Sequence, residues 1–261
     1  MELGKSDPQK FWNTIGKINK WGEEKCDPTE KIPPYTWKKH FEKLLNSEDN
    51  RHTICYNPQR YNTFEPILDG IITKKEMNDA LRGMKGNKSP GPDGILTEYL
   101  KVFGDIAGST LLKLIRKIFA SNIYPSAWTM NFLKPIYKKD DKNDPNNYRG
   151  LAIGSSFAKL YSMILLKRLN KYILANNYIS PNQIGFKEGS RTSDHIFLLQ
   201  TIIEKVVKKN RKRLYCVFVD FKKAYDLVDR KLLFQKLQTL GINGIFLKNI
   251  VAYVYKHLIF N

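Results

Sequence analysis

Apolar residues recur at helical spacing along most of this chain. Residues three and four apart lie on one face of an α-helix, so each such stretch predicts an amphipathic helix. The predicted helices cover about 6–21, 35–46, 72–85, a longer stretch through 111–119, 157–175, 193–209, 230–240 and 245–258. The pattern therefore predicts a helix-rich protein.

Polar residues between these stretches mark where helices begin and where the chain turns. Thr73 and Glu76 have the spacing of a capping box, and Asp229 precedes a helix that Gly241 ends. The segment 86–94, GNKSPGPDG, carries four glycines or prolines in its last five residues and predicts a turn.

Two kinds of strand are expected. The segment 128–150 predicts a strand, a charged loop and a return, and Pro135 places that strand at a sheet edge. Residues 214–219 are apolar on both alternating faces, which predicts an interior strand covered by helices. Many helices with few strands indicate an α+β fold.

Charge points to a polyanionic partner. The 261 residues contain 44 Lys and Arg against 25 Asp and Glu, a formal net charge of +19. Lysines and arginines that neutralise phosphates release condensed counterions, so nucleic acid is the expected partner. Three cysteines without paired spacing, a polar start and no long apolar run favour an intracellular location, nuclear or cytoplasmic, without a membrane span.

Asp220 stands at the tip of the predicted interior strand. Its carboxylate can accept hydrogen bonds from the following turn, or it can hold a divalent cation, because Mg²⁺ takes oxygen ligands and shares them with phosphates. Residues 208–213, KKNRKR, leave a similar choice between a solvated helix end and a nuclear-targeting or phosphate-binding segment.

Several blocks of this chain, in order, resemble the reverse transcriptases of non-LTR (LINE-type) retrotransposons. VFVDFKKAYDLVDR at 217–230 is similar to the first catalytic block of that family. The other blocks are KSPGPDGILTEYLK at 88–101, LKPIYKKDDKNDPNNYRGLAI at 133–153, SFAKLYSMILLKRL at 156–169, ISPNQIGFKEGSRTSDHIFLLQTII at 179–203 and LLFQKLQTLGINGIFLKNI at 232–250.

The resemblance implies a partial right-hand polymerase fold, with fingers over about 66–213 and the start of a palm over about 214–261. It implies a helical connecting segment or linker at 1–65. The thumb and the later palm hairpin are not matched, and no Asp or Glu follows Asp229.

The resemblance also assigns residues to the reaction of the family. Asp220 is the catalytic and metal-binding acid, joined by the backbone carbonyl of Phe221, with Mg²⁺ or Mn²⁺ held only if further carboxylates complete the site. Arg149, Lys138 and Tyr225 meet the incoming dNTP, where Tyr225 excludes a ribose 2′-hydroxyl.

Lys187 and Arg191 are expected beside the template, so the implied partners are an RNA template and a DNA primer. A longer polyprotein or a partner chain would cover the exposed edge of the palm. The 261 residues alone are expected to be inactive and prone to aggregate, because the later acids and strands are missing. A non-catalytic module that binds RNA or an RNA–DNA hybrid, and a non-functional retrotransposon remnant, are the alternative interpretations.

Overall fold

The computed structural model describes residues 28–45, 63–187, 189–221, 224–225 and 228–257. Helices dominate these residues. The α-helices are α1 (Pro34–Leu45), α2 (Pro66–Asp69), α3 (Lys74–Gly83), α4 (Thr97–Ser121), α5 (Ser156–Ala175), α6 (Thr192–Ile203), α7 (Arg230–Thr239) and α8 (Gly244–His257). Short 3₁₀ turns occupy Pro28–Lys31, Ser126–Trp128 and Pro145–Asn147, and a π-helical turn, Glu204–Lys209, continues α6.

Two strands form the one sheet of the described residues. They are β1 (Asn131–Tyr137) and β2 (Tyr148–Gly154), joined by a charged loop. Pro135 lies within β1, as expected for an edge strand. The fold is therefore helix-rich with a small two-stranded sheet. The helix predicted over 6–21 lies outside the described residues.

Local hydrogen bonds start the helices at the predicted residues. The hydroxyl of Thr73 accepts from the backbone N–H of Glu76 at 3.2 Å, and the carboxylate of Glu76 accepts from the N–H of Thr73 at 2.7 Å. Asp229 caps α7 in the same way, accepting from the N–H of Leu232 at 3.0 Å. The capping predictions are therefore confirmed.

The chain divides into two compact units. One contains Met1–Phe41 and Pro135–Leu151, and the other contains Glu42–Lys134 and Ala152–Asn261. The boundary expected near residue 65 remains a prediction.

In the larger unit, α3, α4 and α5 pack around one apolar core that α7 and α8 also enter. Fully buried members of this core are Leu68, Ile72, Met77, Leu100, Leu111, Ile115, Leu160, Ile164, Phe234 and Phe246.

A buried asparagine ties α8 to the two longest helices. The side chain of Asn249 accepts from the phenol of Tyr161 at 2.6 Å and donates to the carbonyl of Phe119 at 2.8 Å. Burial raises the pKa of Tyr161, so the phenol keeps the proton that this bond requires. Asn249 therefore satisfies buried polar groups while fixing α8 against α4 and α5.

The beginning of α8 is held by a carboxylate from α2. Asp69 is buried, and its Oδ1 accepts from the backbone N–H of Phe246 at 2.8 Å. Gly244 is required at this place, because a Cβ there would lie 2.7 Å from Oδ2 of Asp69 and its φ is +64°. This bond joins segments 177 residues apart in sequence.

Candidate active site

The β1–β2 hairpin places Lys138 and Arg149 on one face. The N–H of Lys138 donates to the carbonyl of Asn147 at 2.9 Å, which sets the register and pairs Ile136 with Arg149 across the strands. Lys138 lies two residues beyond Ile136 and is therefore a diagonal neighbour of Arg149 on the same face. Both cations are exposed.

The opposite face of the hairpin is aromatic. The rings of Tyr137 and Tyr148 meet edge to face at a centroid distance of 5.4 Å, and Trp37 of α1 packs edge-on against Tyr148 at 4.8 Å. The phenol of Tyr148 also donates to the carbonyl of Lys142 at 2.8 Å within the loop. These aromatic contacts hold the hairpin in place, so Lys138 and Arg149 lie on a face whose backbone is supported from the other side.

Sequence reasoning did not identify the three supporting rings. The available signal was the alternation around the loop, in which Tyr137 and Tyr148 each fall on the strand face opposite Lys138 and Arg149. Trp37 lies in the stretch 35–46, which the apolar spacing predicts to be a helix. Its contact with Tyr148 joins residues more than one hundred positions apart, which periodicity does not reveal.

Residues 211–221 form neither a helix nor a strand, and the interior strand predicted at 214–219 is wrong for this structure. Tyr215, Val217, Phe218 and Val219 are between 76 and 87% exposed. A strand requires a partner for its backbone groups, and β1 and β2 pair only with each other among the described residues. Asp220 is consequently exposed, as are Phe221 and Tyr225.

Tyr225 meets a second exposed aromatic residue. Its ring lies 6.3 Å from that of Phe186, edge to face, and the two side chains are 78 and 89% exposed. Phe186 adopts a left-handed backbone with φ +61°, which is uncommon for a bulky residue. The structure thus brings Phe186 and Tyr225, which lie far apart in sequence, into contact.

Lys187 and Arg191 lie on either side of the turn that precedes α6. Lys187 is half-buried, and its N–H donates to the carbonyl of Ile184 at 3.3 Å. Arg191 is exposed, while its backbone N–H donates to the carboxylate of Asp194 at 2.7 Å and so caps α6. The guanidinium of Arg191 can therefore face a ligand without disturbing the helix end.

The described residues do not fit a complete site for a divalent metal. Within them, no group of three His, Cys, Asp or Glu side chains is arranged to hold a metal ion. Asp229 is committed to capping α7 through Leu232, and Asp226 lies outside the described residues. Asp220 is thus one exposed carboxylate and offers one side-chain ligand.

No helix in the described part of the chain combines the length and apolar character that crossing a membrane requires.

Comparison with protein families identifies a match over residues 136–260. The matching family is described as reverse transcriptase (RNA-dependent DNA polymerase). The matched region includes the hairpin loop, α5, α6 and the segment that carries Asp220 and Tyr225. Four of the six sequence blocks described above lie within this region, and a fifth, 133–153, begins three residues before it.

Three relatives come from transposable elements. The chain is 30% identical over 171 residues to the transposon TX1 uncharacterized 149 kDa protein of Xenopus laevis, covering 66% of the chain and 13% of that protein. It is 26% identical over 172 residues to a probable RNA-directed DNA polymerase from transposon BS of Drosophila melanogaster, covering 65 and 19%. A Pol polyprotein from the type-1 retrotransposable element R2 of Popillia japonica is 29% identical over 172 residues, covering 66 and 23%. The chain therefore spans less than a quarter of the length of each of these relatives.

Proposed function

We propose that this chain, which matches the reverse transcriptase family over residues 136–260, is of the non-LTR retrotransposon type and forms the fingers and the beginning of the palm of an RNA-directed DNA polymerase. In this proposal the fingers extend over about 66–213, the palm begins at about 214, and residues 1–65 form a helical connecting segment or linker. The polymerase would be a right-hand fold of which this chain supplies a part.

The hairpin carries this proposal. Lys138 and Arg149 share one exposed face, and the aromatic contacts of Tyr137 and Tyr148 support the other. A guanidinium offers a planar fork of donors to phosphate oxygens, and an ammonium adds a compact charge. The pair is suited to the triphosphate of an incoming dNTP.

Further residues complete the proposed roles. Asp220 would supply one carboxylate to the reaction centre, and the carbonyl of Phe221 would point to the same place. Tyr225 would lie beside the sugar of the dNTP and favour deoxynucleotides. Lys187 and Arg191 would contact the template backbone through charge.

The proposed partners follow from the same roles. They are an RNA template, a DNA primer and dNTPs, with a nuclear or cytoplasmic location where such nucleic acids occur. One of the relatives above is named as a Pol polyprotein of a retrotransposable element, so we propose that a longer polyprotein or a partner chain covers the exposed residues 215–221.

Triphosphate binding tests the role of the hairpin. Arg149→Gln is expected to weaken the binding of dTTP tenfold or more, because it removes a charged hydrogen-bond donor worth roughly 1.5–3 kcal/mol. Lys138→Gln is expected to weaken it less, since its ammonium offers no fork. Isothermal titration calorimetry at low salt measures both affinities.

Lys139→Gln is the matched control in the same loop. It removes the same charge from an exposed residue whose nearest acid, Asp140, lies 4.0 Å away. It should leave dTTP affinity within about twofold of the unchanged protein, as a screened surface charge would. If all three variants lose affinity equally, the hairpin face has no specific role.

Primer extension tests the need for further carboxylates. The 261 residues, given Mg²⁺, dNTPs and a DNA primer on an RNA template, are expected to yield no product above the level without protein. Two-metal phosphoryl transfer needs more than one carboxylate, and Asp220 supplies the single side-chain carboxylate that the resemblance assigns. Gel analysis beside an intact reverse transcriptase measures this, and template-dependent extension would contradict the expectation.

A further inference from the structure

The outer part of the β1–β2 hairpin needs support from outside its own sheet. Two strands form the sheet of the described residues, and an isolated two-stranded hairpin is at best marginally stable in water. The compact unit that contains Pro135–Leu151 also contains Met1–Phe41, of which the structure describes residues 28–41. Helix α1 begins in that segment and lies outside the region 136–260 that matches the reverse transcriptase family. An element outside the family match therefore lies within the same unit as the hairpin.

Trp37 of α1 contacts the hairpin through its ring. The ring centroids of Trp37 and Tyr148 are 4.8 Å apart, edge to face, and Trp37 also stacks with Phe41 at 6.0 Å. The Nε1 of Trp37 donates to the carbonyl of Thr29 at 3.2 Å, which fixes the orientation of the indole. Tyr148 and Phe41 are each 5% exposed. Trp37 thus joins a buried residue of α1 to a buried residue of β2.

The hydroxyl groups of the hairpin tyrosines hold the loop between the strands. The phenol of Tyr137 donates to the carbonyl of Asp140 at 2.6 Å, and that of Tyr148 donates to the carbonyl of Lys142 at 2.8 Å. The two rings also contact each other at 5.4 Å. A displacement of Tyr148 would therefore move the loop as well as β2.

Lys138 and Arg149 each follow one of these tyrosines directly in the sequence. Successive side chains of a strand point to opposite faces, so the direction of Arg149 depends on that of Tyr148. If Tyr148 loses its contact with α1, a rotation or shift of β2 would carry the guanidinium with it. Bidentate binding of phosphate oxygens depends on the direction of the guanidinium fork as well as on its charge.

We propose that Trp37 is a positioning residue, whose contact with Tyr148 fixes the backbone of β2 and so directs Arg149 towards a triphosphate. Trp37 itself touches no nucleotide in this arrangement. The consequence for nucleotide binding rests on the function proposed above, whereas the effect on the hairpin backbone does not. Part of the segment 1–65 thereby contributes to the geometry of the nucleotide site.

Hydrogen exchange of the full 261-residue chain measures the effect on the backbone without any nucleotide. Trp37→Ala is expected to speed the exchange of amides within 133–150 roughly three- to tenfold, the range that corresponds to the loss of one aromatic pair. Trp37→Phe keeps a ring beside Tyr148 and should stay within about twofold of the unchanged protein.

Tyr35→Ala is the matched control, because Tyr35 is an aromatic residue of the same helix and is 73% exposed. It should leave the exchange of 133–150 unchanged. Amides of α3 and α5 should exchange at unchanged rates in all three variants. The apolar core of the larger unit, as far as the structure describes it, contains none of the rings of Trp37, Tyr137 and Tyr148.

Calorimetric titration with dTTP tests the consequence for the nucleotide site. Trp37→Ala is expected to weaken dTTP binding roughly three- to tenfold, while Trp37→Phe and Tyr35→Ala retain most of the affinity. In a chain that already carries Arg149→Gln, adding Trp37→Ala should have little further effect, because Trp37 acts through the guanidinium of Arg149. A role in stability alone would add its full cost in both backgrounds.

Unchanged exchange of 133–150 in Trp37→Ala would overturn the proposal, as would an equal effect of Tyr35→Ala. Additive losses of dTTP affinity in the double variant would overturn it too, because Trp37 would then not act through Arg149. If Arg149→Gln alone leaves dTTP affinity unchanged, the function proposed for the hairpin fails. The exchange of 133–150 still decides in that case whether Trp37 holds β2.

Discussion

Replacing Arg168 with alanine is expected to lower the free energy of unfolding by about 3 kcal/mol or more. Arg168 of α5 is 5% exposed, and its guanidinium bonds the carboxylate of Glu76 at 2.6 and 3.0 Å. The same group donates to the carbonyls of Leu68 and Gly70 at 2.8 and 2.6 Å. Alanine would leave these acceptors without their donor and open a cavity beside Phe119, whose ring lies 5.2 Å from the guanidinium.

Urea denaturation measures this loss, with Lys171→Ala as the control from an exposed position of the same helix. The control should change the free energy of unfolding by no more than about 0.5 kcal/mol. A comparable loss in both variants, or a loss below about 1 kcal/mol in Arg168→Ala, would contradict the structural role of the ion pair.

The effect of Arg168→Ala is also expected to depend on pH. Burial alone would raise the pKa of Glu76, but its hydrogen bonds to Arg168 and Thr73 outweigh burial and lower it below the ordinary 4.5. A lowered folded-state pKa stabilises the protein above the unfolded value, and this stabilisation is lost as the pH falls through the folded value. The difference in the free energy of unfolding between the unchanged protein and Arg168→Ala should therefore become smaller below about pH 4.5.

Alanine at Gly91 is expected to destabilise the protein by about 1–3 kcal/mol, and valine by more, because the site has no room for a side chain. A Cβ at Gly91 would lie 2.5 Å from the carbonyl carbon of Gly154 and 2.7 Å from the N–H nitrogen of Ser155. These are backbone atoms at the end of β2 and the start of α5, which Ser155 caps by accepting from the N–H of Phe157 at 3.1 Å. The loop must therefore move away from the junction.

The matched control is Gly185→Ala, where a Cβ meets nothing within 4 Å and the backbone is not left-handed. It should be neutral or slightly stabilising, since alanine restricts the unfolded chain. Chemical denaturation compares the two variants. Equal stability of Gly91→Ala and the unchanged protein would show that the loop adapts without cost.

The helices were predictable because their causes are local. The capping of α3 by Thr73 and Glu76 and of α7 by Asp229 needs only neighbours three residues away, and the structure confirms both. The longer helix predicted through 111–119 lies within α4, which ends at Ser121. The residues assigned to the site by resemblance could be named from the sequence, but their spatial arrangement could not.

The prediction of an interior strand was wrong because strand formation depends on segments that are distant in sequence. Residues 214–219 have the composition of a buried strand, yet a strand forms only when another segment offers it backbone partners. The composition of a segment indicates only that it is able to form a strand when a suitable sheet is present. Val217 and Phe218 are exposed because the described residues contain no sheet with which they pair.

The sequence by itself determined most helices of the described residues, their caps, the hairpin and the similarity to reverse transcriptases, since all of these rest on periodicity, short spacings and ordered blocks. Only the tertiary structure decided that Glu76, a capping residue in its local context, also pairs with Arg168 92 residues away. It likewise decided that Gly91 contacts the end of β2 and that Trp37 supports the face opposite Arg149. Such contacts depend on how whole helices and strands pack against each other, and the local sequence around a residue does not indicate which distant element it will contact.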